Sequence, residues 1–281
     1  MIDKTQVKTF SIFYRDDNLK AKEWQQKILK FSREKFSEWR VDDKKPDVVI
    51  ALGGDGTILQ AARQYGNLGA VIAGFNLGTT GFLASVRDSK KFLGAIENFF
   101  SGKYGLVERT MIGAKVFRNE QIVHETESLN DFSLQNFLGM VDLDVFIEGF
   151  AVQKIRGTGV LVSTATGSTA FNLSAHGPIV MPSLKCMIVT EILDHNVPTP
   201  SMVVGSENKI EINVLSFRKR DHAEEGCADL PDVALVSDGG RVFELHAGDK
   251  ILITTTNDSI KFAEFEKNYF FKSLHEKFWF R

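Results

Sequence analysis

The stretch DVVIALGGDGTILQAA (residues 47–62) decides how this chain is read. Val48 to Leu52 is an unbroken apolar run without polar alternation, as expected of a strand buried on both faces of a parallel sheet. Three glycines, Gly53, Gly54 and Gly56, then surround Asp55, and Thr57 opens a segment with helical spacing of apolar residues. A parallel strand that turns through glycines into a helix is where open α/β sheets hold ligands. Glycine lets backbone N–H groups approach a phosphate, and the helix N-terminus favours negative charge. No Lys-Ser or Lys-Thr follows, so this is not a Walker loop, and the spacing is not G-x-G-x-x-G. Asp55 is the odd member. A carboxylate beside phosphates is repelled unless it works, for example by accepting a hydroxyl proton; the alternative is that it only caps the helix beginning at Gly56.

Working outward, residues 7–13 read as a strand, 18–39 as a long amphipathic helix, 46–52 and 69–75 as strands, and 88–100 as a helix with Asp88 as its N-cap. Alternating strands and helices predict an α/β N-terminal domain with a parallel sheet. Near residue 105 the texture changes to short strands punctuated by turn signals such as SDGG and AGD. The expected division is residues 1–105, a β-rich domain over 106–264, and an aromatic tail, 265–281, that docks back on the first domain.

Composition narrows the function classes. The 281 residues carry a net charge of −2 and are 43% hydrophobic, which gives ample core and no broad attraction to nucleic acid or anionic membrane. Two cysteines, Cys186 and Cys227, are too few and too distant for a disulfide framework or a zinc site. The N-terminus lacks an apolar signal core, and no run approaches the roughly 18 apolar residues of a membrane span. The expectation is a soluble, cytoplasmic protein with no nucleic-acid or membrane partner. His176 and His195 read as loop residues, Asp142 and Asp144 as one exposed face of a strand, and 218–232 as an extended loop.

Two further stretches carry chemistry. GFNLGTTGFLAS (74–85) is a second glycine-rich turn after a strand, and GTGVLVSTATGSTAFNLSAHGPIV (157–180) couples a strand to a dense run of hydroxyls. Together GGDGT (53–57), NLGTTGFL (76–83), LND (129–131) and STATGSTAFNLSAHGPI (163–179) resemble the NAD kinase family in order and approximate spacing. GGDGT alone is shared with diacylglycerol and sphingosine kinases and is similar to the phosphofructokinase loop; the hydroxyl-rich motif is the specific one.

The resemblance, covering roughly residues 46 to 245, implies a two-domain architecture like that of NAD and diacylglycerol kinases, with the active site between an α/β and a β-rich, NAD-binding domain. It implies transfer of the terminal phosphoryl of ATP, or of polyphosphate, to the 2′-hydroxyl of the adenosine ribose of NAD. Mg²⁺ or another divalent cation accompanies the nucleotide, and the assembly is a homodimer or homotetramer. Asp55 falls on the aspartate that activates the hydroxyl. Gly53, Gly54, Gly56 and Thr57 fall on the loop that handles phosphate and ATP. The NAD-binding set is Phe82, Asn130, Asp131, Thr158, Thr166, Thr169, Ala170, Phe171, Ser174 and Asp238, the last with Gly239 beside it. Asn130 reads the adenine, which its amide can do by donating and accepting at once.

Four positions depart from the family pattern. Gly157-Thr158-Gly159 stands where Gly-Asp-Gly is usual, Asn130-Asp131 where the pair is Asn-Glu, Ala165 where a proline is usual, and Phe171 where the ring is a tyrosine. The loss of a charged contact at Thr158 predicts weaker NAD affinity. Two alternatives stand beside the leading reading: a kinase of the same superfamily acting on another nucleotide, lipid or sugar, and a weakly catalytic dinucleotide binder.

Overall fold

The computed structural model describes residues 8–78, 81–195, 199–218 and 231–279. Cys227, Thr79, Thr80 and most of the expected 218–232 loop lie outside the described residues.

In chain order the first elements are β1 (Lys8–Tyr14), α1 (Leu19–Lys35), β2 (Trp39–Val41), β3 (Val48–Leu52), α2 (Asp55–Tyr65), β4 (Val71–Phe75) and α3 (Phe92–Phe100). There follow β5 (Gly105–Arg118), β6 (Gln121–Ser128), β7 (Asp131–Asn136), β8 (Val141–Ile147), β9 (Phe150–Thr164), α4 (Phe171–Ser174), β10 (Cys186–Asp194) and β11 (Met202–Gly205). The last are β12 (Ile210–Phe217), β13 (Val233–Ser237), β14 (Arg241–Glu244), β15 (Lys250–Glu264) and α5 (Tyr269–Phe278). The chain divides into two compact units, Met1–Arg109 with Ser259–Arg281, and Thr110–Asp258.

The first unit is a parallel sheet in the order β2-β1-β3-β4, with the last residues of β15 (Lys261, Phe262) added in parallel against Val71 and Ile72 of β4. Every residue of β3 and β4 is buried, as their apolar runs require. The core is strongly aromatic: Phe10, Phe75, Phe92, Phe99 and Phe100 are all less than 2% exposed. Truncating one such ring to alanine costs about 3–5 kcal/mol.

The sequence reading of α1 runs on to residue 39, but the helix stops at Lys35. Asn18 caps its start, accepting from the Ala21 N–H at 3.1 Å. After Phe36 the chain turns so that Trp39 enters β2, where its ring stacks on Phe100 with centroids 4.6 Å apart. Burial of that indole outweighs continuation of the helix. The reading of 88–100 also divides: Asp88 caps a 3₁₀ turn (Ser89–Lys91), accepting from the Lys90 N–H, and α3 proper begins at Phe92.

α5 packs within the first unit. Arg87 pairs with Glu276 at 2.8 Å and bonds to Ser273, and Phe270 lies 5.9 Å from Phe82. The Tyr269 hydroxyl accepts from buried Arg109; burial pushes that phenol up from its usual pKa, against the pull of the guanidinium.

The second unit is built from antiparallel strands in the order β14-β13-β7-β9-β8-β12-β15, with β10 and β11 continuing from β9. β9 does double service: residues 150–157 pair with β8, and residues 157–164 pair with β10. Its core consists of inward aliphatic side chains such as Val116, Leu134, Leu143, Val160 and Ile212. Asp142 and Asp144 face out and oppose Arg156 and Lys154 across the strand pair, at 3.7 and 3.8 Å. Asp249, 1% exposed, takes a two-point bond from Arg118 and also accepts from the His246 N–H.

Candidate active site

Within the first unit the site begins where β3 ends. The Gly53 N–H bonds to the Phe75 carbonyl at 3.0 Å, tying the ends of β3 and β4 together, and Gly54 is the N-cap of α2. Asp55 is the first helical residue, so it does not cap the helix. Its carboxylate instead receives two backbone bonds from the neighbouring glycine-rich turn: the Phe82 N–H donates to Oδ2 at 2.7 Å and the Leu83 N–H to Oδ1 at 3.1 Å. Gly81 makes that grip possible, because a Cβ there would fall on the Asp55 carboxylate. A carboxylate offers about four lone-pair sites, so two remain for another donor.

Asp55 is partly exposed, and Gly54 and Gly56 are exposed with nothing within 4 Å of a Cβ placed on either. The first-turn N–H groups of a helix have no intrahelical partner. The open glycines and the helix N-terminus therefore present donors beside a fixed carboxylate, an arrangement chemically suited to a phosphate on one side and a hydroxyl on the other. Thr57 is buried, so its side chain packs beneath the loop. Phe82 contributes its backbone N–H to Asp55, while its ring is 4% exposed, set against Phe270 with the Lys277 ammonium 4.9 Å from its centroid.

Within the second unit a different device holds the LND turn. Asp238, at φ 48°, directs its carboxylate at this turn: Oδ1 accepts from the Asn130 N–H at 2.6 Å and from the Ser128 hydroxyl, and Oδ2 accepts from the Leu129 N–H at 3.1 Å. The Asp131 N–H lies 3.3 Å from Oδ1, and the Asp238 N–H donates to the Asp131 carbonyl at 3.0 Å. Asp238, expected to touch the dinucleotide, thus spends its carboxylate on the turn that carries Asn130. Gly239 follows it at φ 66°, completing the bend.

The hydroxyl-rich motif is fastened to the same turn. The Thr164 N–H and the Ser163 hydroxyl donate to the Asn130 carbonyl, at 2.8 and 3.2 Å, and the Thr164 hydroxyl donates to Leu129 O at 2.6 Å. Gly167 permits the closest approach, since a Cβ there would collide with the Asn130 carbonyl. The Asn130 side chain is partly exposed and makes no hydrogen bond among the described residues. Asp131 is 4% exposed.

Most hydroxyls of the motif are therefore internal fasteners. Ser168, fully buried, donates to Ala165 O and accepts from the Val180 N–H. Thr166 is 5% exposed, Thr169 and Ala170 are partly exposed, and Phe171 and Ser174 lie exposed on α4. Thr158 is partly buried on β9.

Two positioning residues escape the sequence reading. Ser128 brackets the turn, accepting from the Asp131 N–H at 3.1 Å; its place three residues before Asp131 is the spacing of a serine turn and is the signal that finds it. Asn172, fully buried, donates to Ser168 O and Pro178 O and accepts from the Thr190 hydroxyl, a role no local pattern marks. Among the described residues no three His, Cys, Asp or Glu side chains gather where they could hold a cation. The described residues thus build no cage for the divalent ion that the resemblance implies.

Comparison with known proteins gives the lineage of the chain. Residues 5–104 match the model of the ATP-NAD kinase N-terminal domain, and residues 132–265 that of the ATP-NAD kinase C-terminal domain. The chain is 38% identical to the NAD kinase of Lachnoclostridium phytofermentans over 240 residues, 84% of this chain and 81% of that one. It is 33% identical to the NAD kinase of Caldanaerobacter subterraneus subsp. tengcongensis over 83% of this chain and 78% of the relative. Among solved structures, yeast NADH kinase complexed with NADH superposes with a TM-score of 0.85 at 22% identity, covering 99% of this chain and 89% of the other. An NAD kinase from Archaeoglobus fulgidus in complex with ATP superposes at 0.75 and 21% identity, covering 96% and 99%. The two superpositions establish the fold, and the matched domains and relatives establish the lineage: this chain belongs to the ATP-NAD kinase family.

Proposed function

We propose that this chain is an NAD kinase that moves the terminal phosphoryl group of ATP to the 2′-hydroxyl of the adenosine ribose of NAD, yielding NADP and ADP. The observation that carries the residue assignment is the Asp55 carboxylate, anchored by two backbone N–H groups at the start of α2 with acceptor capacity to spare. In this reading the ribose hydroxyl donates to Asp55. As its oxygen bonds to the γ-phosphorus, the bond from that phosphorus to the ADP oxygen breaks, ADP leaves with the electron pair, and the hydroxyl proton passes to the carboxylate. The open backbone at Gly54 and Gly56 admits the phosphates. Positioning supplies much of the rate in such transfers, because there is little covalent work for the protein.

Asn130, held through its backbone by Asp238, Thr164 and Ser163, offers its free amide to the adenine edge, and Asp131, Thr166, Thr169, Ala170, Phe171 and Ser174 complete the dinucleotide contacts. Asp238 serves this set by positioning Asn130. A divalent cation bound together with ATP would neutralise part of the phosphate charge. A cytoplasmic homodimer or homotetramer is the assembly the resemblance implies.

ATP-dependent formation of NADP, read with an NADP-specific dehydrogenase, tests the proposal. Wild type turns over NAD, and Asp55→Asn lowers kcat by about 10²–10⁴, the range for loss of a general base. Running NADH in place of NAD, and polyphosphate in place of ATP, fixes acceptor and donor. A wild-type chain that binds NAD and forms no NADP overturns the reaction and favours a dinucleotide binder.

A further inference from the structure

The segment that grips Asp55 has no regular structure of its own: residues 82–87 are neither helix nor strand, apart from a single bridge of Val86 to Phe75. Its shape therefore comes from what it is bonded to. The Phe82 and Leu83 N–H groups meet the Asp55 carboxylate, and two backbone bonds tie Val86 to the end of β4, Asn76 N–H to Val86 O at 2.9 Å and Val86 N–H to Gly74 O at 3.3 Å.

The other bonds come from the last part of the chain. The Ser85 hydroxyl donates to the Ala263 carbonyl of β15 at 3.0 Å. The Phe82 ring lies 5.9 Å from the Phe270 ring and 4.9 Å from the Lys277 ammonium, both on α5. The Arg87 guanidinium donates to three acceptors of the same helix: the Glu276 carboxylate at 2.8 Å, the Ser273 hydroxyl and, at 3.5 Å, the Tyr269 carbonyl. α5 is pinned in turn at its first residue, where the Tyr269 hydroxyl accepts from buried Arg109. All these residues belong to the first unit.

Covering the core accounts for the burial of Tyr269 and Phe270. It does not account for three acceptors of one helix converging on a guanidinium four residues beyond Leu83. The Arg87 side chain is 20% exposed and that of Glu276 49%, and an ion pair so open to water adds little stability. A planar fork bonded at several points fixes geometry instead.

We propose that α5 is a brace for the turn that holds Asp55, with Arg87 and Phe270 as positioning residues. They keep Phe82 and Leu83 where their N–H groups aim the Asp55 carboxylate at the ribose hydroxyl. The proposal rests on Asp55 as the base of the reaction above. A shifted turn leaves NAD and ATP bound but misaligns the proton acceptor, so the loss falls on kcat.

The test uses the full chain carrying Arg87→Gln, Glu276→Ala or Phe270→Leu, with Lys272→Ala, whose partner is Glu266, as the control on α5. Amide hydrogen exchange at Phe82 and Leu83, read by NMR, follows the grip on Asp55 without any turnover. Arg87→Gln speeds exchange at both amides by about fivefold and lowers kcat about tenfold at unchanged KM for NAD and ATP. Glu276→Ala and Phe270→Leu act in the same direction by about threefold, and Lys272→Ala leaves both readouts at wild-type values. In an Asp55→Asn chain, Arg87→Gln costs nothing further in residual turnover, because the group it positions is gone. If wild type forms no NADP, the proposed reaction fails, and the exchange rates still judge the brace. The proposal is overturned if exchange at Phe82 and Leu83 keeps its wild-type rates in Arg87→Gln and Phe270→Leu, or if exchange rises while kcat does not fall. It is overturned equally if Arg87→Gln lowers the residual turnover of Asp55→Asn as strongly as it lowers that of wild type.

Discussion

Each unit of this chain fixes one aspartate at a glycine-bearing turn with backbone N–H groups, and the two carboxylates, both partly exposed, differ in how many donors they take. Asp55 receives two donors, both from the 82–83 turn, and stays partly exposed at the N-terminus of α2. Asp238 is surrounded by the Ser128 hydroxyl and by the N–H groups of Leu129, Asn130 and, more distantly, Asp131. The donor count separates the roles: a carboxylate with lone pairs left can take a proton from a substrate, whereas one filled by its own chain shapes the backbone that presents Asn130. An aspartate near a glycine is thus ambiguous until its donors are counted.

The comparison can be broken most forcefully from the Asp55 side. Gly81→Ala places a methyl group on the Asp55 carboxylate and displaces it from the Phe82 and Leu83 N–H groups. We expect kcat to fall by about 10- to 100-fold, with a stability loss of about 1–3 kcal/mol for the forced contact. A wild-type kcat in a folded variant would mean that this grip does not set the geometry. On the other side, Asp238→Ala strips the turn of its acceptor and leaves several N–H groups without it, costing about 1–3 kcal/mol in chemical denaturation. Its kinetic signature is a raised KM for NAD with kcat little changed, because Asn130 moves while Asp55 does not.

Smaller effects sharpen the account. Thr158→Asp introduces the carboxylate that the resemblance leads one to expect there and should lower KM for NAD by up to about tenfold, on the order of 1 kcal/mol; an unchanged KM contradicts the expectation that Thr158 weakens NAD binding. The smallest effect concerns pH and belongs to the second unit alone. His124 lies flat against Phe243, 4.2 Å between centroids, and burial holds its pKa below the usual 6.5. The folded chain prefers the neutral ring, so the unfolded chain takes up the proton first as pH falls through 6.5. This part of the stability is present above 6.5 and is lost on acidification towards the folded value. Melting between pH 7.5 and 5.5 should show a drop that His124→Gln reduces.

Much of this was legible in the sequence where local chemistry decides. The apolar run 48–52 and the glycines after it specify a buried parallel strand and a turn of the kind that holds ligands, without outside help. The end of α1 was not legible, because Trp39 leaves the helical pattern to stack on Phe100, far along the chain. Asp55 could be singled out, but choosing between capping and chemistry needed the Phe82 and Leu83 N–H groups, 27 and 28 residues away. The role of Asp238 was hidden for the same reason: its partners lie 107 to 110 residues earlier, and spacing carries no trace of a contact made only on folding. Likewise the hydroxyl-rich motif advertises polarity, while only burial reveals that Ser163, Thr164 and Ser168 are turned inward.

The most direct measurement is steady-state NADP formation by Asp55→Asn and Asp238→Asn side by side, with kcat and the KM for NAD determined separately and melting temperatures recorded. The account predicts a collapsed kcat with near wild-type melting for Asp55→Asn, and a retained kcat with raised KM and lowered melting for Asp238→Asn. The reverse partition, with Asp55→Asn near wild-type in kcat or Asp238→Asn losing turnover at unchanged KM, would contradict it.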